Sequence, residues 1–212
     1  MYVTFDEVQT AISKQTGELP GDDNMVQWMS ECQFDICSKI AEVRQDFFRK
    51  KSTLAVIAGT DSYDLSGLTP APDNLLRIRR IEDSDKAVIL PKDLNAADYD
   101  ETMGWHLIGT SQIVFEPTPV YSVTYTIYFI DLPAKPTAVS DTIDARIPTN
   151  YRKLFLYYGK WQWYDSEDCG DDPELAIYNL NLYSQMLRDM LAELDTEEAW
   201  PTQVEVVPDG LN

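Results

Sequence analysis

The spacing of apolar residues changes twice along this chain, and these changes limit the fold more than any other sequence feature. From residue 22 to about residue 48 apolar side chains recur every three or four positions, the period of an amphipathic α-helix. From Thr53 the period is two, which is typical of β-strands. Helical spacing returns after Pro148. The sequence therefore predicts an α+β fold with a β domain, residues 52–131, inserted into a helical bundle.

The two ends of the chain, residues 1–51 and 145–195, are predicted to form that bundle. Thr4 with Glu7 three residues later is a capping box that begins a short first helix. A longer second helix is predicted to end in the run Phe47-Phe48-Arg49-Lys50-Lys51.

The last helix begins with Asp172 as its cap and Pro173 at its first position. Its apolar residues keep heptad spacing and predict a seam that packs against other helices. The seam consists of Leu180, Tyr183, Leu187, Met190 and Leu194.

The inserted β domain is predicted to be antiparallel. Residues 53–58 and 61–65 flank a turn that contains Gly59, which favours a hairpin. A second hairpin is predicted from residues 105–108 and 112–115. The clearest strand follows, with Tyr121, Val123, Tyr125, Ile127 and Phe129 on one face.

Two further segments contain too few apolar residues for a core of their own. Residues 132–144, with Pro133 and Pro136, are predicted to be a linker. Residues 196–212 are predicted to be an extended C-terminal arm that becomes ordered when another surface receives it. The arm residues predicted to bind this other surface are Trp200, Pro201, Val204, Val206 and Val207.

The charge of the chain is strongly acidic, with 36 acids against 17 bases and a formal net charge of -19. Such a surface repels nucleic acid and anionic membranes, which argues against free DNA as a ligand. Residues 165–212 contain thirteen acids and the single base Arg188. This excess is either a solvated surface that serves solubility or an acidic wall beside something that must not adhere.

The basic residues group in two places and suggest a surface of opposite sign. They are Arg49, Lys50, Lys51, Arg77, Arg79 and Arg80. Basic and acidic surfaces of this kind could meet between subunits of a ring, or could pair within one subunit. The N-terminus has no signal-like segment and no apolar run reaches the roughly 18 residues of a membrane span, so we expect a soluble, cytoplasmically made protein.

The sequence predicts no catalytic residue, metal site or cofactor. His106 is the one histidine, and no Cys-x-x-Cys or histidine pair exists to hold zinc. The acidic loop 165–172 suggests calcium, but an EF-hand alignment from Asp165 puts Cys169 and Ala176 where carboxylates are wanted.

Several segments resemble the head-to-tail adaptor proteins of tailed bacteriophages, also called connectors or tail accessory factors. The resemblance spans about residues 24–195, and the chain departs from the common pattern in its linker and its arm. The segments are Trp28-Met29 through Cys37, Phe47-Phe48, the turn at residues 58–65, residues 112–119, and Ile147-Pro148 before an aromatic-rich helix.

The resemblance implies a virion protein at the head-tail junction, assembled in the host cytoplasm as a homo-oligomeric ring, typically a dodecamer. Such a ring binds the portal protein, extends the DNA channel without sequence-specific binding, and supports downstream tail, nozzle and fibre proteins. It implies no catalytic residues.

Two other functions stay open. One is a carbohydrate- or receptor-binding tail component that uses the tyrosine-rich β domain. The other is a cell-wall hydrolase in which Glu116 acts as general acid.

Overall fold

A computed structural model describes residues 2–92, 102–109 and 111–196, and in these residues the fold is α+β. It contains four α-helices and one curled, mixed sheet of seven strands. The helices are α1 Phe5–Thr16, α2 Asp22–Val43, α3 Lys153–Asp165 and α4 Pro173–Asp195. The strands are β1 Arg49–Val56, β2 Ser62–Asp64, β3 Leu75–Glu82, β4 Val88–Pro91, β5 Gly104–Ile108, β6 Gln112–Glu116 and β7 Val123–Asp131.

Local signals position the starts of α1 and α4 as predicted. The Thr4 hydroxyl accepts a hydrogen bond from the Glu7 amide at the start of α1, and Gly17 ends this helix in the left-handed conformation with φ 86°. The Asp172 carboxylate accepts from the Leu175 amide at 3.0 Å and caps α4. Both caps satisfy amides that would otherwise lack partners.

The predicted end of the second helix is wrong. Helix α2 stops at Val43, a 3-10 turn covers Gln45–Phe48, and β1 begins at Arg49. The turn places Phe48 in the helical core, where it is 1% exposed. The Arg146 guanidinium lies 4.4 Å from the centre of the Phe48 ring. Arg49, Lys50 and Lys51 therefore belong to a strand, because their backbone pairs with β7.

The first predicted hairpin is also wrong, because β1 and β2 lie at opposite edges of the sheet, in the order β1-β7-β3-β4-β5-β6-β2. β1 pairs along its whole length with β7, from Arg49 opposite Ile130 to Val56 opposite Val123. β2 pairs with β6. The Tyr63 hydroxyl accepts from the Ile57 amide at 2.8 Å and donates to Thr60, which closes the turn between β1 and β2.

The second predicted hairpin is confirmed, since β5 and β6 pair antiparallel. The sheet as a whole is mixed rather than antiparallel, because β4 and β5 run parallel, with Leu90 opposite Gly104 and Pro91 opposite Trp105.

Strand β7 separates two hydrophobic cores. Phe129 is fully buried in a core between the strands, and Ile130 is fully buried in a core formed mainly by the helices. We call these the β core and the helical core. Neighbouring residues of a strand face opposite sides of a sheet, so one strand supplies both cores.

The segment 132–144, predicted as a linker, packs against the helices. Leu132 and Ile143 are buried in the helical core. The Gln33 side chain on α2 donates to the Ala134 carbonyl at 3.4 Å and accepts from the Asp144 amide at 3.3 Å. The predicted arm lies outside the described residues, apart from Thr196. None of the helices seen in the described ranges is long and apolar enough to cross a membrane.

Candidate assembly surfaces

Five of the six predicted basic contact residues lie on one face of the sheet, and four of them are exposed there. In an antiparallel ladder, residues directly opposite each other share a face. Lys51 and Arg80 both lie opposite Tyr128, and Arg49 lies opposite Ile130. This face is opposite to the one that carries Phe129 into the β core. We call Arg49, Lys51, Arg79 and Arg80 the basic face.

A bulge in β3 adds Arg79 to this face. The pairing of β3 with β7 shifts register between Ile78 and Arg80, which leaves Arg79 as an extra residue. Arg79 and Arg80 are consequently both exposed. They line a depression of about 430 Å³ together with Asp46, Arg49, Glu82, Tyr128 and Ile130.

The charge of the basic face is only partly neutralised within the subunit. Arg80 pairs with Glu82. Arg44 holds Asp46 at 3.1 Å, and this hydrogen bond keeps the pKa of Asp46 below its usual value. Within the described ranges, Arg49, Lys51 and Arg79 form no ion pair. Three positive charges are therefore available to a partner.

The other two basic residues make contacts within the subunit, although Arg77 lies opposite Ile130 and so on the same face as Arg49. Lys50 projects from the opposite face of β1 and bonds to Asp131 at 2.7 Å and to Asp73 at 3.3 Å. Although burial alone lowers the pKa of Lys50, the Asp131 and Asp73 carboxylates raise it above the ordinary value. Arg77 donates to the Ala41 carbonyl near the end of α2 at 3.3 Å. Successive side chains of β1 point to opposite faces of the sheet, so Lys50 lies on the other face from Arg49 and Lys51. This alternation could have been recognised in the sequence.

The acidic surface lies at the other end of the described chain. Its exposed carboxylates lie at the end of α3, on the following loop and on α4: Asp165, Glu167, Asp168, Asp171, Glu174, Asp189, Glu193 and Asp195. Asp172 is used as the helix cap. In the part of the chain that the structure describes, no group of three or more His, Cys, Asp or Glu residues is arranged to hold a metal ion.

An open groove of about 730 Å³ lies between α2, α3 and α4, and we call it the aromatic groove. It is lined by Asp35, Lys39, Tyr158, Trp161, Leu180, Tyr183, Ser184, Leu187, Arg188 and Leu191. The Tyr158 ring meets Trp161 and Tyr183 edge-on, with ring centres 5.1 and 5.3 Å apart. Tyr183 donates to Asp35 at 2.6 Å, and burial raises the pKa of Tyr183 so that it stays a donor.

The predicted seam of α4 divides between this groove and the helical core. Tyr183, Leu187, Met190 and Leu194 are buried in the helical core, and Tyr183 and Leu187 also form part of the groove wall. Leu180 is half-buried and lines the groove.

The residues named for the alternative functions are dispersed or occupied. Glu116 shares a depression of about 540 Å³ with Asp61 and His106. Among the tyrosines of the β region, Tyr125 is buried in the β core and Tyr63 is bonded to the turn before β2, whereas Tyr121 is 79% exposed. Carbohydrate binding and wall hydrolysis stay predictions.

The two charged surfaces and the groove are sites at which other protein surfaces could bind. The SU10 adaptor protein family matches residues 3–207, and the chain belongs to this family. It is a structural phage adaptor protein, a virion component that takes part in tail assembly and contacts other head and tail proteins. The family is not a class of enzyme. No curated protein matches the chain.

Proposed function

We propose that this protein forms a ring, typically a dodecamer, that binds the portal, extends the DNA channel and joins the phage head to the tail. The family match over residues 3–207 supports this proposal most strongly, because it includes the helices and the whole β region. Downstream tail, nozzle and fibre proteins are the proposed partners on the other side of the ring.

The basic face is proposed to contact the acidic surface of the next subunit. A ring needs heterologous contacts, in which two different surfaces of one chain meet. Arg49, Lys51 and Arg79 lack ion pairs within the described subunit, and the carboxylates of α4 are exposed. Complementary charges of this kind determine the register and rate of association more than the affinity.

The net charge of -19 suits a conduit for DNA. Double-stranded DNA is a dense polyanion, and a wall of like charge does not retain it. The arm, residues 196–212, is proposed to grip the portal or a neighbour through Trp200, Pro201, Val204, Val206 and Val207.

Deletion of residues 196–212 tests the arm. The variant should lose attachment to portal-bearing heads, while its circular dichroism stays unchanged because both cores lie within residues 2–196. Negative-stain microscopy of the protein mixed with its portal should show an added ring for the full chain and none for the variant. Thr202→Ala is the matched control within the arm, and Trp200→Ala should reproduce much of the deletion. Normal attachment of the deletion variant would refute the arm assignment.

Charge reversal tests the basic face. The double variant Arg49→Glu/Arg79→Glu should lower ring formation on the portal at least tenfold, because two attractive contacts per interface become repulsive. Lys14→Glu/Lys135→Glu makes the same change in net charge at exposed positions away from this face. Equal ring yields from the two double variants, counted by microscopy, would show that net charge alone matters.

A further inference from the structure

We propose that, in the free protein, residues 197–212 dock in the aromatic groove of their own chain. This inference rests on the proposed function only in that the same segment is the arm proposed to bind a partner. It is carried by the chemistry of the groove, by the position at which α4 ends, and by the charges around the groove.

The groove is chemically suited to an apolar segment that contains an aromatic ring. Trp161, Leu180 and Leu191 remain partly exposed along it. Apolar surface of this kind in a concave site favours a ligand with apolar side chains. The segment supplies Trp200, Val204, Val206 and Val207 within eight residues.

The segment is long enough to reach the whole groove. Helix α4 ends at Asp195, and its groove residues extend from Leu191 back to Leu180. At 1.5 Å per residue, Leu180 lies about 22 Å from the helix end. An extended chain covers about 3.3 Å per residue, so about seven residues after α4 are sufficient. A chain that turns back at Thr196 brings Trp200 beside Leu187 and Leu191 and the valines toward Leu180.

The distribution of charge favours docking of the segment on the groove side of α4. Lys39 and Arg188 line the groove, and Arg188 is the single base after residue 165. Arg188 forms no ion pair in the described chain, and Lys39 lies 3.7 Å from Asp35 in an exposed and therefore weak pair. The segment carries Glu197, Glu198, Glu205 and Asp209, which the remaining carboxylates of α4 repel. The two bases at the edge of the apolar groove therefore complement the acids that flank the apolar residues of the segment.

Docking within the chain would withhold the arm until a partner competes for it. A second copy or a partner's helix could also fill the groove. The chain's own segment is favoured over these occupants, because a covalently attached segment has a high effective concentration at the groove.

Disulfide trapping tests the docking directly on the full chain. The variant combines Ser184→Cys in the groove with Thr202→Cys in the segment, and Cys169→Ser removes a half-exposed thiol. Cys32 and Cys37 are buried. Mild oxidation at low micromolar concentration should give an intramolecular disulfide in most molecules, identified by peptide mass spectrometry. Pro201→Cys repeats the test at a shifted register. Asp189→Cys is the matched control, because it projects from α4 away from the groove and should cross-link at least tenfold less.

Protease access gives a second measurement without new cysteines. Cleavage after Glu205 by a glutamate-specific protease should be at least fivefold faster in Lys39→Glu/Arg188→Glu than in the parent. Lys14→Glu/Lys135→Glu should match the parent.

The outcomes separate this inference from the proposed function. Disulfides between chains at the same concentration, or equal trapping at residues 184 and 189, would overturn docking in the same chain. If trapping fails while deletion of the arm still abolishes attachment to heads, the docking is wrong and the adaptor function stands. If trapping succeeds and the deletion variant attaches normally, the groove binds the segment but the arm does not grip the portal.

Discussion

Elements that are adjacent in sequence pack differently in the helical and β regions. In the helical region, α3 and α4 follow each other in sequence and pack together, with the Tyr158 and Tyr183 rings 5.3 Å apart. In the β region, β1 and β2 follow each other and lie at opposite edges of the sheet. β1 instead pairs with β7, which begins at Val123. Local spacing determines the type of element in both regions, but in the β region it determines the partner for β5 and β6 and not for β1 and β2.

The two regions also share a strand, β7, where they meet. Phe129 and Ile130 are adjacent in β7 and enter different cores. Lys50 bonds to the fully buried Asp131 on one side of this junction, and Arg146 bonds to Asp144 on the other. We therefore expect the two regions to unfold together, although elements adjacent in sequence pack differently in the two.

Removing one large side chain from each core is the strongest test of shared unfolding. Phe129 in the β core and Phe155 in the helical core are both fully buried. Phe129→Ala and Phe155→Ala should each lower the free energy of unfolding by about 3–5 kcal/mol. Urea unfolding followed by circular dichroism and tryptophan fluorescence should show one coincident transition for each variant. Two separated transitions would mean that the regions are independent folding units.

The β side of the junction depends on Asp131. Its carboxylate accepts from Lys50 and from the Asn74 amide at 2.8 Å. Asp131→Ala should cost about 2 kcal/mol, less than for a fully buried ion pair because the Lys50 side chain is 40% exposed. Asp73→Ala removes the 62% exposed partner of Lys50 and should change stability by under about 0.5 kcal/mol. Equal effects in thermal unfolding would show that burial of Asp131 is unimportant.

The helical side of the junction should respond to pH. Burial raises the pKa of Asp144, but the hydrogen bonds from Arg146, at 2.8 Å, outweigh burial and lower it. A carboxyl group with a lowered pKa in the folded protein stabilises above its unfolded pKa, about 3.9, and this contribution disappears as the pH falls through the folded value.

Asp144→Asn should therefore cost about 1–2 kcal/mol at pH 7 and progressively less below pH 4. Unfolding free energies measured between pH 7 and pH 2 provide the check. The exposed Asp168 offers a control, since Asp168→Asn should leave the curve nearly parallel to that of the parent. A constant difference between Asp144→Asn and the parent at all pH values would contradict the assigned cause.

Features determined by neighbouring residues could be predicted from the sequence. The caps at Thr4 and Asp172 and the hairpin of β5 with β6 each depend on a few adjacent side chains and backbone groups. The clear alternation of β7 indicated a strand with one covered face, because period two leaves little choice.

Features determined by distant partners could not be predicted. The spacing of Phe47 and Phe48 fits a helix, and only pairing of the next residues with β7 reveals that α2 has ended. Among the surfaces, alternation along β1 could have separated Lys50 from Arg49 and Lys51. The bulge that exposes Arg79 has no sequence signal, since it arises from register against Tyr128. The aromatic groove needs three helices to be assembled first.

The pairing of Arg49 with Ile130 has a consequence for how such a protein can diversify. Residues directly opposite each other in an antiparallel ladder are about 5 Å apart, so the chain leaves the helices and returns to them at nearly the same point. Seen from the helices, the long excursion through seven strands is equivalent to a short loop. Evolution or engineering can therefore replace the excursion with another of the same end spacing and present a different surface while the helical frame is kept.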